Sequence, residues 1–413
     1  MESSHAEALQ KALRRAHEAE TIEEQALIAR LPNPELLEAL VKNPNLHPSL
    51  QKEIFYKSRG ASPYIAVALL KRVDLEKEVL LEALEAKEPL VRRTALKRAL
   101  ADPTLPKEAV EGPFLELLRE GGHRGLDALE KERPFVKEVL REKPLNQAFW
   151  SALESLLNEE RAAKPSAKPK WSKGGVLLDL LEREDAPEPT LRLVLEVGPK
   201  RVQGFIRSAL ERDLSAAACK LMAENYDVHI DWYLVKRLTA QRNFNTEALR
   251  ALLSDFKGNL VEAARLPGVD EETAQLLIDS MRKRVGFLLK TIEDHPDLGS
   301  ISTHLYTKDF GVYLETLQTL SERGLLGTRA LASMFYPEDP LLLPALYLAT
   351  ERADISKEVL LEGHTALWSW FKRQGGDSQA IRELVQDLSE KVYLRLEEGE
   401  KRTFKAVEAL MEL

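Results

Sequence analysis

Helical periodicity runs through almost the whole chain, and the period-two alternation of a half-buried strand is nearly absent. The signals that start helices are also closely spaced. Thr21-Ile-Glu-Glu24 has the capping-box pattern, in which a hydroxyl and a carboxylate satisfy free amide donors reciprocally. Asn33-Pro34-Glu35 places a capping side chain, then proline at the first helical position, then a carboxylate at the positive end of the helix dipole. Asp339-Pro340 repeats that device, and Asn245-Thr-Glu247 and Asp270-Glu-Glu272 mark further starts. Text recurs as well. Val73–Glu82 closely matches Ala353–Glu362, and Asn43–Pro48 has a looser echo in Asp102–Pro106. Helices this short cannot bury their apolar faces alone, so neighbours must stack on them. The expected fold is all-α: an α-solenoid of short antiparallel helix-pair repeats.

Composition fits that expectation. Of 413 residues, 44% are hydrophobic and 31% charged, which describes a folded chain with a heavily charged surface. Aromatics make up only 6%, so the core must be largely aliphatic. The net charge of −8 lacks the global basic footprint of a nucleic-acid or anionic-membrane binder, although a local basic patch remains compatible with it. The single cysteine, Cys219, excludes an intramolecular disulfide and any multi-cysteine zinc or iron–sulfur site. Cytoplasmic residence and no cofactor are the expectations. Residues Met1–Glu7 are polar and lack the apolar core of a signal peptide. The most apolar runs, Tyr64–Leu70 and Leu341–Ala349, are too short to span a bilayer. The charge-rich, cysteine-poor composition leans towards a thermophilic source.

Two segments resemble known repeat families. Glu88-Pro-Leu-Val-Arg-Arg-Thr-Ala-Leu-Lys-Arg-Ala-Leu100 resembles the second helix of a HEAT-type repeat: Pro89, Val91, Arg92, Ala95 and Ala99 match its pattern, and Glu88 stands where aspartate is usual. Leu40–Pro48 is similar to the leucine-rich-repeat-variant unit, another two-helix solenoid repeat. The matches cover roughly residues 20–110. The HEAT resemblance implies that Arg92 braces neighbouring repeats through acidic partners. Some leucine-rich-repeat-variant proteins hold a cysteine-bound iron–sulfur cluster, which one cysteine cannot supply.

The sharpest compositional break is Glu159–Gly175, where two prolines, a Gly-Gly pair and five cations occur with no acid from Arg161 onward. It suggests a repeat array over 1–158, a basic linker over 159–175 and a second array over 176–413. A softer break is expected at Asp294–Gly311, around Pro296, Gly299 and a Ser/Thr cluster.

Candidate binding residues follow the positive charge. Arg161, Lys164, Lys168, Lys170 and Lys173 could meet phosphates with Trp171 stacking on a base, or the segment could be a solvated linker. Arg92, Arg93, Lys97 and Arg98 form a second group, with Arg93 and Lys97 on one helical face. Arg282, Lys283 and Arg284 form a third, near a helix end where cations offset the dipole. Asp231-Trp232-Tyr233, with Trp368 and Trp370, supplies the residue types of a HEAT-like DNA glycosylase without its spacing; Asp231 reads more simply as a first-turn carboxylate. His364, Trp368, Trp370 and Phe371 suit either an interface hot spot or the C-terminal core, and core is favoured. No metal-ligand spacing, phosphate loop or dinucleotide fingerprint occurs; Gly324-Leu-Leu-Gly327 reads as a turn between helices and Cys219 as a core thiol.

A solenoid exposes more surface than its own folding requires. The leading expectation is therefore a scaffold or adaptor for a protein partner and not a membrane protein; catalysis is the less favoured reading and stays open. A nucleic-acid-binding protein using the basic groups is the alternative, and a HEAT-like DNA repair glycosylase the third reading.

Overall fold

The computed structural model describes residues 2–163, 175–202, 204–294, 299–374 and 379–412. Those residues form 26 α-helices, with one 3-10 turn at Pro48–Leu50 and no β-strand among them. The chain divides into two compact units, Met1–Arg212 and Asp213–Leu413. The expected linker at 159–175 falls inside the first of these. Residues 159–162 finish one helix and Gly175 opens the next. Lys164, Lys168, Lys170, Trp171 and Lys173 lie outside the described residues.

The first unit holds α1 (Glu2–Glu18), α2 (Ile22–Arg30), α3 (Pro34–Val41), α4 (Gln51–Ala61), α5 (Pro63–Leu70), α6 (Lys77–Leu84) and α7 (Pro89–Leu100). It continues with α8 (Lys107–Leu118), α9 (Gly125–Lys131), α10 (Arg133–Val139), α11 (Gln147–Ala162), α12 (Gly175–Leu181), α13 (Glu188–Arg201) and α14 (Phe205–Ala209). Packing is mostly between alternate helices. One row runs α3, α5, α7, α10, α12, and a second runs α4, α6, α8, α11, α13, each helix touching the next in its row. The apolar pattern explains the layering. In α5 the pairs Ile65–Ala66 and Leu69–Leu70 are buried, and α3 repeats this with Leu36–Leu37 and Leu40–Val41. Two adjacent apolar residues every fourth position cover a stripe wide enough for both the row neighbour and the facing helix.

Local capping follows the sequence closely at most starts. Asn33 accepts amide hydrogens from Glu35 and Leu36, Asn245 accepts one from Ala248, and Thr21 accepts one from Glu24. Asp270 and Thr273 cap one another reciprocally, and these bonds hold the Asp270 carboxyl below its ordinary range. Asn43 and Asp102 each close a turn by accepting an amide two residues on, so the echo between their segments is a shared turn geometry.

A different device caps the other helix ends. Arg72, just after α5, donates to the carbonyls of Val41 and Asn43 at the end of α3, both at 2.7 Å. Arg98 on α7 does the same to Leu70, Arg72 and Val73 after α5. Arg183 after α12 reaches Leu140 and Glu142 after α10, and Arg201 on α13 reaches Glu160 and Ala163 at the end of α11. The last carbonyls of a helix have no partner within it and carry the negative end of its dipole. A guanidinium from the next helix of the row supplies both donors and charge.

The second unit holds α15 (Ala216–Ala223), α16 (Tyr226–Ile230), α17 (Trp232–Thr239), α18 (Thr246–Leu253), α19 (Leu260–Ala264) and the long pair α20 (Glu271–Asp294) and α21 (Gly299–Glu322). It ends with α22 (Thr328–Ala332), α23 (Leu342–Glu351), α24 (Lys357–Gln374), α25 (Gln379–Leu394) and α26 (Glu398–Glu412). The arginine device recurs here. Arg323 caps Ala264 and Leu266 after α19, Arg352 caps Leu326, and Arg395 caps Thr350, Arg352 and Ile355 after α23.

Two expectations need correction in this unit. The break expected at Asp294–Gly311 holds at its start, where α20 ends at Asp294, and residues 295–298 lie outside the described residues. Residues 299–311, however, are the first half of α21, whose later threonines turn their hydroxyls onto carbonyls of their own helix, Thr307 to His304 and Thr316 to Val312. Asp339 does not cap α23, which starts at Leu342. It accepts the Leu341 amide and takes a fork of hydrogen bonds from Arg282 on α20. Gly324-Leu-Leu-Gly327 is a turn between helices as expected: Gly324 has φ +73°, and the Leu325 amide reaches back to the Leu320 carbonyl.

Candidate functional site

Among the described residues the most concentrated basic group sits on α7, a helix without an acidic residue. Val91, Ala95, Leu96, Ala99 and Leu100 are buried, which turns Leu90, Arg93, Thr94 and Lys97 outward. Arg93 meets Glu132 at 2.8 Å and lies over the Phe135 ring, and Lys97 meets Glu138 at 3.6 Å. On neighbouring α10, Lys137 pairs with Asp179 of α12 at 3.4 Å, and Arg133 lies 4.0 Å from Glu130. The cations of one helix thus lean on carboxylates of the next. Arg92 lies 4.0 Å from Glu120. Arg98 turns away from this face into the carbonyls after α5, and burial lowers its pKa. Its role is structural.

The remaining basic candidates are dispersed. Arg161, on the last turn of α11, pairs with Glu196 of α13 at 3.3 Å. In the second unit Arg282 binds Asp339 and Asp279, Arg284 binds Asp309 at 3.1 Å, and Lys283 is exposed. Arg284 and Asp309 also line an open cleft of about 410 Å³ with Gly258, Glu262, Arg265 and Glu315. Behind the ion pair the Tyr313 hydroxyl is buried, which pushes its pKa up to about 12. Gly258 sets the near wall, because a Cβ there would stand 2.1 Å from the His229 carbonyl oxygen. Backbone cannot yield as a flexible side chain does. Gly258→Ala is expected to cost the second unit about 1–3 kcal/mol by overpacking, measurable as a lower urea midpoint.

The glycosylase-like constellation is not assembled as chemistry. Asp231 is the N-cap of α17 and accepts the Tyr233 amide at 3.0 Å. Trp368 and Trp370 are buried in the core of the second unit, with Phe371. His364 lies in the same core. Its ring stacks on Phe404, the Trp368 indole donates to Nε2 at 3.2 Å, and Ser389 Oγ lies 2.9 Å from that nitrogen. Burial lowers the imidazole pKa to about 4, so it is neutral near pH 7. Cys219 is fully buried. Among the described residues no group of His, Cys, Asp or Glu could hold a metal ion, and no helix is long and apolar enough to cross a membrane.

Neither a family model nor a curated protein sequence matches this chain.

Sequence reasoning overlooked two sets of residues. Tyr64 and Leu90 are exposed at the second positions of α5 and α7, 72% and 46% respectively, and Arg133 and Lys137 extend the basic group. The signal for Tyr64 is a repeated line, Pro-x-φ-φ-x-x-φ-φ-Lys (φ apolar), at 34–42 and again at 63–71, in which the x after proline faces outward; residues 89–97, with Leu90, follow it except at Arg92. The arginine caps have a signature too: Arg-x-Asp stands after a helix at 72–74, 183–185 and 352–354, where the aspartate holds the guanidinium.

Proposed function

We propose that the chain is a macromolecule-binding scaffold of the cytoplasm, a solenoid of helix-pair repeats that presents the outward faces of α5, α7 and α10 to a protein partner. The observation that carries this reading is the placement of Tyr64 and Leu90. They occupy equivalent positions on helices that touch, they are large and apolar, and they contribute little to the unit's own core. Adjacent exposed apolar side chains rimmed by charge are characteristic of protein contact surfaces. The arginine caps support the reading from another side, because Arg72 ties α5 to α3 and Arg98 ties α7 to α5, which fixes the helices that carry Tyr64 and Leu90.

The test is a photo-crosslinking residue at Leu90, compared with one at exposed Glu108 on α8, in the native host. A discrete protein adduct from Leu90 alone, resistant to nuclease, is expected. Adducts that carry nucleic acid, or equal adducts from both positions, would overturn the reading and return the nucleic-acid alternative.

A further inference from the structure

The same face has a polarity along its helices. Tyr64 and Leu90 stand at the N-terminal edge. One and two turns further on in α7 come Arg93 and Lys97, whose acidic partners Glu132 and Glu138 adjoin Arg133 and Lys137 of α10, and Lys71 and Arg141 are exposed just past the ends of α5 and α10. Within α7 and α10 the only carboxylate is Glu138. The other acids that pair with this face are recessed. Glu132 is 7% exposed, and Glu130 and Asp179 17%, whereas their cations are 36–43% exposed.

That difference in depth matters. A carboxylate behind the cation takes one or two of its donors, which leaves one or two N–H groups on an ammonium and three or four on a guanidinium for the outer side. Partly exposed pairs of this kind contribute about 0–1 kcal/mol, so an incoming carboxylate can share or replace them at little cost. The face therefore offers outward hydrogen-bond donors beside an apolar edge.

We infer that this face takes an acidic segment of a partner protein, anchored by apolar side chains against Tyr64 and Leu90; this rests on the scaffold reading above and names the chemistry of the partner. A polypeptide fits better than a nucleic acid on two grounds. The chain's net charge of −8 and the recessed carboxylates oppose every anion, and most of all one with a charge on every unit, whereas a peptide can dilute its acids with the apolar side chains that Tyr64 and Leu90 receive. The geometry also suits a peptide. Packed helices stand about 8–10 Å apart, and an extended chain advances about 3.3 Å per residue, so roughly every third residue meets the next helix.

The test is fluorescence anisotropy with the full chain and three labelled probes: a random copolymer of glutamate and tyrosine, polyglutamate, and oligothymidylate of similar length. The copolymer is expected to bind most tightly, and salt to weaken it. Lys97→Gln with Lys137→Gln, and separately Tyr64→Ser with Leu90→Ser, should each weaken copolymer binding about tenfold, the equivalent of ~1.4 kcal/mol. Lys97→Arg with Lys137→Arg should retain it, and circular dichroism checks that every variant keeps its helices. Equal binding of polyglutamate that ignores Tyr64 and Leu90, or tighter binding of oligothymidylate, overturns the inference. Failure of all three probes overturns it as well, while a nuclease-resistant protein adduct at Leu90 would still stand for the scaffold reading.

Discussion

Replacing Arg183 by methionine is expected to destabilise the first unit by about 3–5 kcal/mol, the range for removing one partner of a buried ion pair. The side chain is 5% exposed and does three things at once. It fills the carbonyls of Leu140 and Glu142 after α10, it neutralises Asp185 at 2.5 Å, and its stem packs against the row. Methionine keeps much of the packing and none of the hydrogen bonds, so the loss reports unfilled carbonyls and an unpaired aspartate. Lys42→Met is the matching control: Lys42 pairs with Glu38 one turn away, both well exposed, and its loss should cost at most about 0.5 kcal/mol. Urea denaturation of the three proteins decides the matter. Equal midpoints for Arg183→Met and the native chain would mean that the caps are ornamental.

The second unit is expected to lose stability as the pH falls from about 6.5 to about 4. The His364 imidazole takes up its proton near the ordinary 6.5 when unfolded, but only near 4 when folded. Between those values the unfolded chain binds more protons, and stability therefore drops as pH is lowered. The gap corresponds to on the order of 3 kcal/mol once both limits are passed. Above pH 6.5 this group contributes no slope. Trp368 and Trp370 lie in the same core, so with Trp150 and Trp171 of the first unit replaced by phenylalanine, tryptophan fluorescence in urea at pH 7 and pH 4.5 follows the transition. His364→Gln should flatten the dependence across that window. An unchanged slope in the variant would assign the effect to other groups.

Much of the helical fold is legible in the residues because capping is local. Thr21, Asn33, Asn245 and Asp270 each bond an amide two or three residues on, and a start signal of that reach is complete within the text around it. The misread elements involve partners at a distance. Asp339 looked like a cap and serves Arg282, 57 residues earlier. The Ser/Thr cluster near residue 300 looked like a loop, yet it lies in a helix that packs along α20. The buried aromatics around His364 were readable from their spacing, since two tryptophans and a phenylalanine on one helix need somewhere dry to go.

The candidate binding face was only half legible for a related reason. A run such as Arg92–Arg98 announces charge, but the direction of each side chain depends on neighbours 25 to 45 residues away, which no local pattern specifies. Arg93 and Lys97 face outward with Arg133 and Lys137, while Arg98, one position further, serves the backbone after α5. Backbone carbonyls have no residue identity, so a guanidinium that seeks them leaves a trace only where an aspartate follows two positions later, as after Arg72, Arg183 and Arg352. Tyr64 was passed over inside an apolar run that was weighed only for its length against a bilayer.

Each of the arginine caps points the same way along the chain. Arg72, Arg98, Arg183, Arg201, Arg323, Arg352 and Arg395 all close carbonyls that precede them in sequence. A ribosome delivers the acceptors first and the donor later, so each of these ends waits with open carbonyls until its arginine arrives. At these places growth is ratcheted, because the later arrival seals what came before. A nascent chain stalled between such an acceptor and its donor would keep that end unfinished.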